Sequence, residues 1–181
     1  MLIKRELLGS VRGTVLEIGA GRGANLPLLP KGVRWIGLEP DAGRRAALAR
    51  AAARLGHRDP VLAATAERVP LASGSVSAVV ATIVLCSVAD PAAALAEVRR
   101  VLAPGGRFLF VEHVGAPAGS WRRRAQGWAA PLTRRFDHGC DPTRDTAAAI
   151  RAAGFAAVDL RSYDRPLSVL YHDLVAGVAT A

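Results

Sequence analysis

The chain has 181 residues, of which 51% are hydrophobic and 22% are charged, and its formal net charge is +9. This length suits one α/β domain around one core, and the apolar fraction excludes an intrinsically disordered chain. The longest apolar runs fall short of the roughly 18 residues that a membrane span requires, so we expect no membrane span.

The arginine-rich charge raises the question of an anionic partner. A strongly basic chain is typical of proteins that bind nucleic acid or an anionic membrane surface. Here the arginines are scattered in pairs and mostly lack neighbouring aromatic residues, which favours an ordinary solvated surface. We therefore disfavour a nucleic-acid partner, although the charge of +9 leaves one open.

Two features bear on the compartment. Residues 1–10 lack the apolar segment of a signal peptide. The two cysteines, Cys86 and Cys140, are too few for a disulfide framework and lack the spacing of metal ligands. These features indicate a reducing, cytoplasmic setting and no metal. Nothing in the sequence indicates an oligomeric state.

The first predicted strand leads into a glycine-rich turn. After a short lead over residues 1–13, with a single helical turn, residues 14–18 form an apolar run that Glu17 interrupts, as in a buried parallel strand. A short helix is expected over residues 24–29. Three alternating glycines lie between them, namely Gly19, Gly21 and Gly23. Alternating glycine allows positive φ and lets a ligand lie against backbone, so this turn predicts a nucleotide-type site.

Two cofactors fit that turn. Gly19, Gly21 and Ala24 match the dinucleotide pattern, in which a pyrophosphate sits on a helix N-terminus. Glu17 favours S-adenosylmethionine instead, because its carboxylate suits an ammonium group or its water shell and would repel a pyrophosphate.

The second predicted strand, residues 33–38, ends at an acidic residue. Glu39 follows it, 18 residues after the second glycine of the turn. The two oxygens of a carboxylate at this place match the two hydroxyl groups of a ribose. Pro40 and Asp41 begin a predicted helix over residues 42–55.

The next strands end at the same edge of the sheet. Residues 61–64 are the predicted third strand, with an exit loop at residues 65–67. The β-branched run over residues 77–85 predicts the fourth strand. Asp90 and Pro91 then begin a helix as N-cap and first helical residue.

The last third of the chain departs from this alternation. That helix ends at residues 104–106, and residues 107–111 are the predicted fifth strand, with His113 beyond its carboxyl end. Residues 115–144 are too long for a plain connection, so we expect a cap over the pocket. After a helix over residues 146–153, two strands, residues 155–161 and 170–178, lack an intervening helix and should pair antiparallel at one edge.

These features occur in one order that resembles class I S-adenosylmethionine-dependent methyltransferases. The resemblance rests on the E-x-G-x-G-x-G motif from Glu17, on Glu39, and on the Leu-Ala-Pro-Gly-Gly stretch at residues 102–106. It implies an α/β, three-layer Rossmann-like fold, with a seven-stranded, mostly parallel sheet and one antiparallel edge strand. It also implies a single domain over residues 1–181, with residues 115–144 as substrate cap.

A closer resemblance is to the methyltransferase-like group that includes alkyl thiol methyltransferases. It rests on residues 85–88 (LCSV), 110–114 (FVEHV) and 139–140 (GC). We expect the chain to depart from that group in lacking its N-terminal membrane anchor, in an extra residue at 137–140, and in Glu67, where the group has a shorter acid. The resemblance implies a small-molecule acceptor, with a thiol favoured, then an amine or a phenol.

The family resemblance also implies the site. The glycines of the turn would hold the methionine part of S-adenosylmethionine, Glu17 its ammonium group, and Glu39 the ribose. The remaining cofactor positions are Pro40, Ala66 and Glu67 around the nucleoside and Thr82 beside the methionine arm. The candidate catalytic bases are His113 and His172, and the product is S-adenosylhomocysteine.

Other side chains near the expected pocket have other tasks. We expect Cys86 to pack as a small apolar group rather than act as a nucleophile. Trp121 and Trp128 are candidates for an apolar pocket wall or for holding the cap in place. The alternatives that stay open are an RNA or phospholipid methyltransferase, a non-catalytic S-adenosylmethionine-binding protein, and a nicotinamide oxidoreductase.

Overall fold

The structure, a computed structural model, describes residues 2–164, 170–171 and 173–181. Within these residues, no helix is long and apolar enough to cross a bilayer. The elements in chain order are α1 (Leu2–Gly9), β1 (Thr14–Ile18), a 3₁₀ turn (Leu26–Leu28), β2 (Arg34–Leu38), α2 (Ala42–Arg54), β3 (Val61–Leu62), β4 (Val76–Thr82), α3 (Pro91–Val101), β5 (Leu102–His113), α4 (Trp121–Phe136), α5 (Thr146–Ala152), β6 (Ala157–Asp164) and β7 (Asp173–Thr180).

One sheet organises the described residues, and its seven strands lie in the order β3-β2-β1-β4-β5-β7-β6. Strands β1 to β5 pair in parallel, whereas β7 runs antiparallel to both β5 and β6. This arrangement confirms the α/β Rossmann-like fold and the antiparallel pairing expected at one edge. The antiparallel strand β7 lies one place in from the edge, and β6 is the outermost strand.

Apolar side chains cover both faces of the sheet. In β1, Leu16 belongs to one buried cluster and Val15 to another, because successive side chains of a strand point to opposite faces. Leu95 of α3 lies in the first cluster, and Leu48 of α2 lies in the second. Helices therefore pack on both faces, as a three-layer fold requires.

Capping side chains set the starts of two helices near the site. The carboxylate of Asp90 accepts hydrogen bonds from the backbone N–H groups of Ala92 and Ala93, at 2.9 and 3.1 Å, and Pro91 is the first residue of α3. Asp41 caps α2 in the same way, by accepting from the backbone N–H three residues on, at 2.7 Å. Both predicted helix starts are confirmed.

The segment after the glycine turn is shorter than the helix predicted there. It contains only the three-residue 3₁₀ turn, in which Pro27 follows the first residue. Leu29 is extended, with φ −76° and ψ 143°. Pro30 follows Leu29 and disfavours helical backbone there. At the N-terminus the helix is longer than predicted, because α1 spans eight residues rather than a single turn and buries Leu8.

Strand β4 ends earlier than predicted, at Thr82 rather than at residue 85. Ile83 has a positive φ of 58°, which turns the chain out of the sheet. The carboxylate of Glu112 accepts the backbone N–H groups of Val84 and Leu85, at 3.0 and 3.1 Å, so the buried polar groups of this turn are paired.

Two other strands differ in length from the prediction. β3 contains two residues instead of four. β5 already begins at Leu102, directly after α3, and its pairing with β4 is irregular between Val76 and Ala78. Gly105 has a φ of 74° and lies within residues 104–106, where the sequence predicted the end of a helix and the structure has extended strand.

Candidate active site

The alternating glycines after β1 form a tight turn at the carboxyl edge of the sheet. Gly19, Gly21 and Gly23 have φ values of 58°, 60° and 88°, which glycine adopts without strain. A Cβ atom at Gly19 would lie 2.7 Å from a methyl carbon of Val84, so the backbone there has no room for a side chain. Gly19 and Gly21 line a cavity, whereas Gly23 packs inward against Leu26.

Glu39 connects this turn to the end of β2. One carboxylate oxygen accepts the backbone N–H of Gly21 at 2.9 Å, and the other accepts that of Asp41 at 3.0 Å. Glu39 is buried, yet it lines a cavity of about 780 Å³, and each of its oxygens keeps a second acceptor site. The predicted nucleoside residues Pro40, Ala66 and Glu67 line the same cavity.

A second cavity, of about 470 Å³, continues from the first at the glycine turn. Gly19 and Ile83 belong to the walls of both cavities. Gly21, Asn25 and Thr82 line only the second one. A ligand with a nucleoside at one end and a short polar arm at the other therefore has continuous space across the turn.

Glu17 lies behind the wall of this second cavity rather than on it. Its two oxygens accept hydrogen bonds from the Asn25 side-chain amide at 2.7 Å and from the Trp35 ring N–H at 2.9 Å. Burial raises the pKa of Glu17 to about 7. The two hydrogen bonds lower this pKa, but their effect is smaller than that of burial. The structure therefore offers Glu17 no direct contact with a ligand.

Asn25 lies on the cavity wall in front of Glu17. Its amide nitrogen donates to Glu17 and, at 2.8 Å, to the hydroxyl oxygen of Thr82. Its amide oxygen is buried and accepts no hydrogen bond from the described part of the chain. Sequence reasoning missed Asn25, although a lone polar residue in the apolar stretch after the glycine turn was a visible signal.

The other end of the larger cavity is formed by His113, Cys140 and Tyr171. The His113 ring stacks on the Tyr171 ring, with centroids 4.7 Å apart, and its Nδ1 lies 4.0 Å from the sulfur of Cys140. Sequence reasoning selected His113 for its place after β5, and it missed the other two residues. His172, the other predicted base, lies outside the described residues.

Cys86 stands directly behind this end of the cavity. It is fully buried, and its sulfur lies 3.4 Å from the sulfur of Cys140. The hydrogen bond between the two thiols, together with the neighbouring His113, lowers the pKa of Cys140 to about 5. The same thiol pair, together with burial, raises the pKa of Cys86. The two cysteines, which are 54 residues apart in the sequence, are thus neighbours in the fold.

Hydrogen bonds to backbone carbonyl groups hold these segments together. The N–H of Asp141 donates to the carbonyl of Cys86 at 2.8 Å, and the guanidinium of Arg144 donates to the carbonyl of Leu85 at 2.9 Å. The hydroxyl of Thr146 donates to the carbonyl of His113 at 2.5 Å. The loop after β4, the end of β5 and the loop after α4 are thus fixed relative to one another.

The segment 115–144 reaches the cavity through a loop and not through its tryptophans. Trp121 and Trp128 are 65% and 88% exposed and line neither cavity, so the predicted apolar wall is wrong. The contribution comes from residues 137–140 after α4, where His138 also contacts Arg44 of α2 across the cavity. An amphipathic helix pattern does not say which of its apolar side chains meets a pocket.

The sheet order, the glycine turn and the carboxylate at the end of β2 together define the class of S-adenosylmethionine-dependent methyltransferases. Residues 16–110 match the family described as Methyltransferase domain, and the chain belongs to this family. It is 36% identical to Thiol S-methyltransferase TMT1B of Homo sapiens over 178 residues, which cover 92% of this chain and 73% of that protein. It is 35% identical to Thiol S-methyltransferase TMT1A of Homo sapiens, over 91% of this chain and 72% of that protein.

Solved structures share the fold at low sequence identity. Geranyl diphosphate methyltransferase in complex with S-adenosylmethionine has a TM-score of 0.74 at 18% identity, covering 97% of this chain and 82% of that one. A methyltransferase from Aquifex aeolicus that depends on the same cofactor has a TM-score of 0.63 at 15% identity, covering 92% and 81%. These likenesses establish the fold, and together with the family they make the chain an S-adenosylmethionine-dependent methyltransferase.

Proposed function

We propose that this enzyme transfers the methyl group of S-adenosylmethionine to the sulfur of a small thiol. The observation that carries the proposal is the continuity of the larger cavity, which runs from Glu39 and Ala66 to the pair His113 and Cys140. The same cavity thus offers nucleoside-binding groups at one end and a polar, sulfur-lined recess at the other. The identity of 36% to a relative named as a thiol S-methyltransferase supports the choice of acceptor.

Two features of the glycine turn suit this cofactor. Gly19 has no room for a side chain, so only backbone lies where the cofactor would cross from one cavity to the other. The buried amide oxygen of Asn25 is an acceptor that an ammonium group in the second cavity would satisfy. We assign Glu39 to the ribose, Ala66 and Glu67 to adenine, and Thr82 to the methionine arm. Glu17 then acts through Asn25, by holding its amide in place.

The chemistry requires alignment more than covalent help. The sulfonium of the bound cofactor supplies an already activated methyl group. The protein has to place the acceptor in line with it and to exclude water, which is catalysis by proximity and orientation. The aliphatic side chains of Leu38, Val84 and Val88 lie on the cavity wall and help to exclude water. A thiol must also lose its proton before it reacts, because the thiolate is the nucleophile.

The His113 end is where we place that proton transfer. Sequence reasoning assigns His113 as a general base, and its position on the cavity wall supports a part in deprotonation. The same recess would accept an amine or a phenol, either of them as second choice after a thiol. We further propose that residues 1–181 act as one domain in a reducing cytoplasm, with residues 137–140 closing the acceptor end.

A comparison of acceptors tests this proposal. An alkyl thiol, an alkyl amine, a phenol, structured RNA and phospholipid vesicles are supplied at equal concentration, and release of S-adenosylhomocysteine is measured. We expect the thiol to react fastest, and we expect Glu39→Ala to abolish that rate at limiting cofactor. Turnover with RNA or phospholipid alone would contradict the small-molecule assignment. Cofactor binding without turnover of any acceptor would favour a non-catalytic role.

A further inference from the structure

Three side chains at the acceptor end have the arrangement of metal ligands. The sulfurs of Cys86 and Cys140 and a ring nitrogen of His113 all lie within 4.8 Å of one another. The two sulfurs are 3.4 Å apart, and the nitrogen is 4.0 Å from the nearer sulfur. In a tetrahedral zinc site such ligand atoms are roughly 3.5–3.8 Å apart, so a rotation of the His113 ring that moves its nitrogen by up to about 1 Å would admit the ion.

We propose that Cys86, His113 and Cys140 bind one Zn²⁺ ion and that the sulfur of the thiol acceptor completes its coordination. This assignment replaces the sequence-based expectation of no metal. The part that concerns the acceptor rests on the proposed function, whereas the binding of the ion does not. His113 then serves as a metal ligand, and the ion takes over the acidification of the acceptor.

Charge balance favours a dication at this place. Cys86 is fully buried and Cys140 is 4% exposed, so two thiolates there would be costly without a cation. A divalent ion with two thiolates and a neutral imidazole is a neutral unit. Three protein ligands and one open position are also the pattern of catalytic zinc, whereas structural zinc has four protein ligands.

The ligands are held in place by contacts that need no metal. The N–H of Cys140 donates to the carbonyl of Asp137 at 2.9 Å, and the bond from Asp141 to the carbonyl of Cys86 joins the two cysteine loops. The hydroxyl of Thr146 fixes the backbone of His113. Such outer contacts orient the ligands of a metal site and raise its affinity.

The open position faces the cavity. His113 and Cys140 are on its wall, and Cys86 lies behind them, so a fourth ligand can enter only from the cavity side. When the acceptor sulfur binds the ion, its S–H bond breaks and the proton passes to solvent. That sulfur then forms the new S–C bond with its lone pair while the methyl carbon leaves the sulfonium, whose sulfur keeps the bonding electrons. The neutral thioether is a weaker ligand and departs.

Cobalt titration tests the metal site directly. Reduced, metal-free protein is titrated with Co²⁺, and the thiolate-to-metal and d–d absorption bands of a tetrahedral site are recorded, followed by displacement with Zn²⁺. We expect one ion per chain. Cys86→Ser and Cys140→Ser should each weaken binding at least about a hundredfold, since even outer-shell changes weaken metal sites by 10–100-fold. His57→Ala, which removes a histidine packed against Trp35, should bind as the wild type does. The absence of saturable binding, or wild-type affinity in either serine variant, would overturn the site.

A metal-removal experiment separates this inference from the proposed function. Protein stripped with dipicolinate is assayed with an alkyl thiol before and after addition of Zn²⁺, and we expect turnover to be lost and restored. Undiminished thiol turnover in metal-free protein would overturn the metal's role and leave the thiol assignment standing. A bound zinc ion without thiol turnover would overturn the proposed function and leave the metal site standing.

A second, independent observation concerns the outer face of α4. This helix exposes a row of large apolar side chains, namely Trp121, Trp128, Leu132 and Phe136, at 65%, 88%, 63% and 71%. Their spacing of seven and four residues puts them on one face. They are four of the seven large apolar side chains that are exposed in the described chain. The opposite face, with Gln126 and Ala130, is buried.

The charge of α4 matches an anionic surface. The helix contains five arginines and no acidic residue. Arg124 and Arg135 are exposed and stand four residues before and seven residues after Trp128, so they flank the apolar row. Exposed aromatic and leucine side chains bordered by arginine are typical of helices that lie in the interface of a membrane.

We infer that this face of α4 binds the surface of bilayers that contain anionic lipid. Sedimentation with phosphatidylcholine vesicles, with and without phosphatidylserine, tests the inference. We expect the protein to bind the anionic vesicles, and we expect rising salt to weaken this binding. The double variant Trp128→Glu, Leu132→Glu should bind them at least about tenfold more weakly. Leu55→Glu, at an exposed leucine of the α2 end, is the matched control and should bind normally. No vesicle binding, or self-association that the double variant abolishes, would overturn it.

Discussion

The two ends of the active site are built in different ways. At the glycine-turn end, the turn and the carboxylate that we assign to the ribose lie within residues 19 to 39, and Glu39 and the backbone of Gly21 bond directly to one another. At the His113 end, the three sulfur and nitrogen groups are 27 and 54 residues apart along the chain. The first end is a local motif, whereas the second exists only after the sheet has formed.

This difference predicts different responses to substitution. Changes at the glycine-turn end should act on cofactor affinity and on local stability, because its groups are bonded to the turn itself. Changes at the His113 end should act on the acceptor and on metal binding with little effect on the cofactor. At the first end we expect the effects to decrease in the order Glu39, Gly19, Asn25 and Glu17, and the metal titration tests the second end.

Glu39→Ala should have the largest effect on cofactor affinity. Hydrogen bonds to a charged group contribute about 1.5–3 kcal/mol each, and the ribose would offer two, so the loss should be about a hundredfold or more. Calorimetric titration with S-adenosylhomocysteine measures it. Glu39→Gln, which keeps one carbonyl oxygen, should lose less. An unchanged dissociation constant in a folded Glu39→Ala protein would remove Glu39 from the ribose site.

Gly19→Ala should destabilise the protein through the turn itself. Its φ of 58° and the Cβ contact of 2.7 Å to Val84 add strain to steric overlap. We expect the free energy of unfolding to fall by more than the roughly 1–2 kcal/mol of the left-handed conformation alone. Gly32→Ala is the matched control, because Gly32 has a φ of 87° and open space around it. Equal losses in denaturant titrations of the two variants would contradict the close packing at Gly19.

Asn25→Ala should raise the KM for S-adenosylmethionine by about tenfold, since one hydrogen bond to a charged group is lost. The kcat at saturating cofactor should change little, because Asn25 is remote from the His113 end. Thr82→Val removes only the hydroxyl that accepts from Asn25, and its effect should be smaller. If Asn25→Ala left KM unchanged in steady-state kinetics, the ammonium group would have to bind elsewhere.

Glu17 should give the protein a pH-dependent stability of the opposite sign to that of a salt-bridged acid. Burial raises its pKa from 4.5 to about 7, so the folded protein binds a proton that the unfolded chain releases. The free energy of unfolding should therefore fall as pH rises from about 5 to about 7, by at most about 1.4 kcal/mol per pH unit. Thermal melting across this range measures it. Glu17→Gln should reduce the slope of this curve, the remainder coming from Glu112, whose pKa burial raises to about 8. An unchanged slope in Glu17→Gln would show that Glu17 contributes nothing to it.

The sequence was sufficient for the parts of the site that depend on neighbouring residues. Strand β1, the glycine turn, Glu39 and the start of α3 at Asp90 were predicted from short-range patterns. We assign the ammonium contact to Asn25 rather than to Glu17, because the carboxylate of Glu17 is bonded to Asn25 and Trp35 behind the cavity wall. Periodicity says that a side chain is buried, and it does not say which buried group faces a cavity.

The acceptor end could not be predicted in the same way. Cys86 and Cys140 have no metal-ligand spacing in sequence, and only the pairing of β4 with β5 and the loop after α4 bring their sulfurs together. The tryptophans of α4 were assigned to the wrong side, because an apolar helical face meets either a core or an external surface. Tertiary contacts decide between the two, and here they place Trp128 outside.

The most direct test of the two-ended site is a crystal structure of the protein with S-adenosylhomocysteine. We expect the ribose hydroxyls to bind the carboxylate of Glu39 and the ammonium group to bind the amide oxygen of Asn25. We also expect the ligand's sulfur to face the recess of His113 and Cys140. A bound ligand whose sulfur points away from that recess would contradict the assignment of the acceptor end.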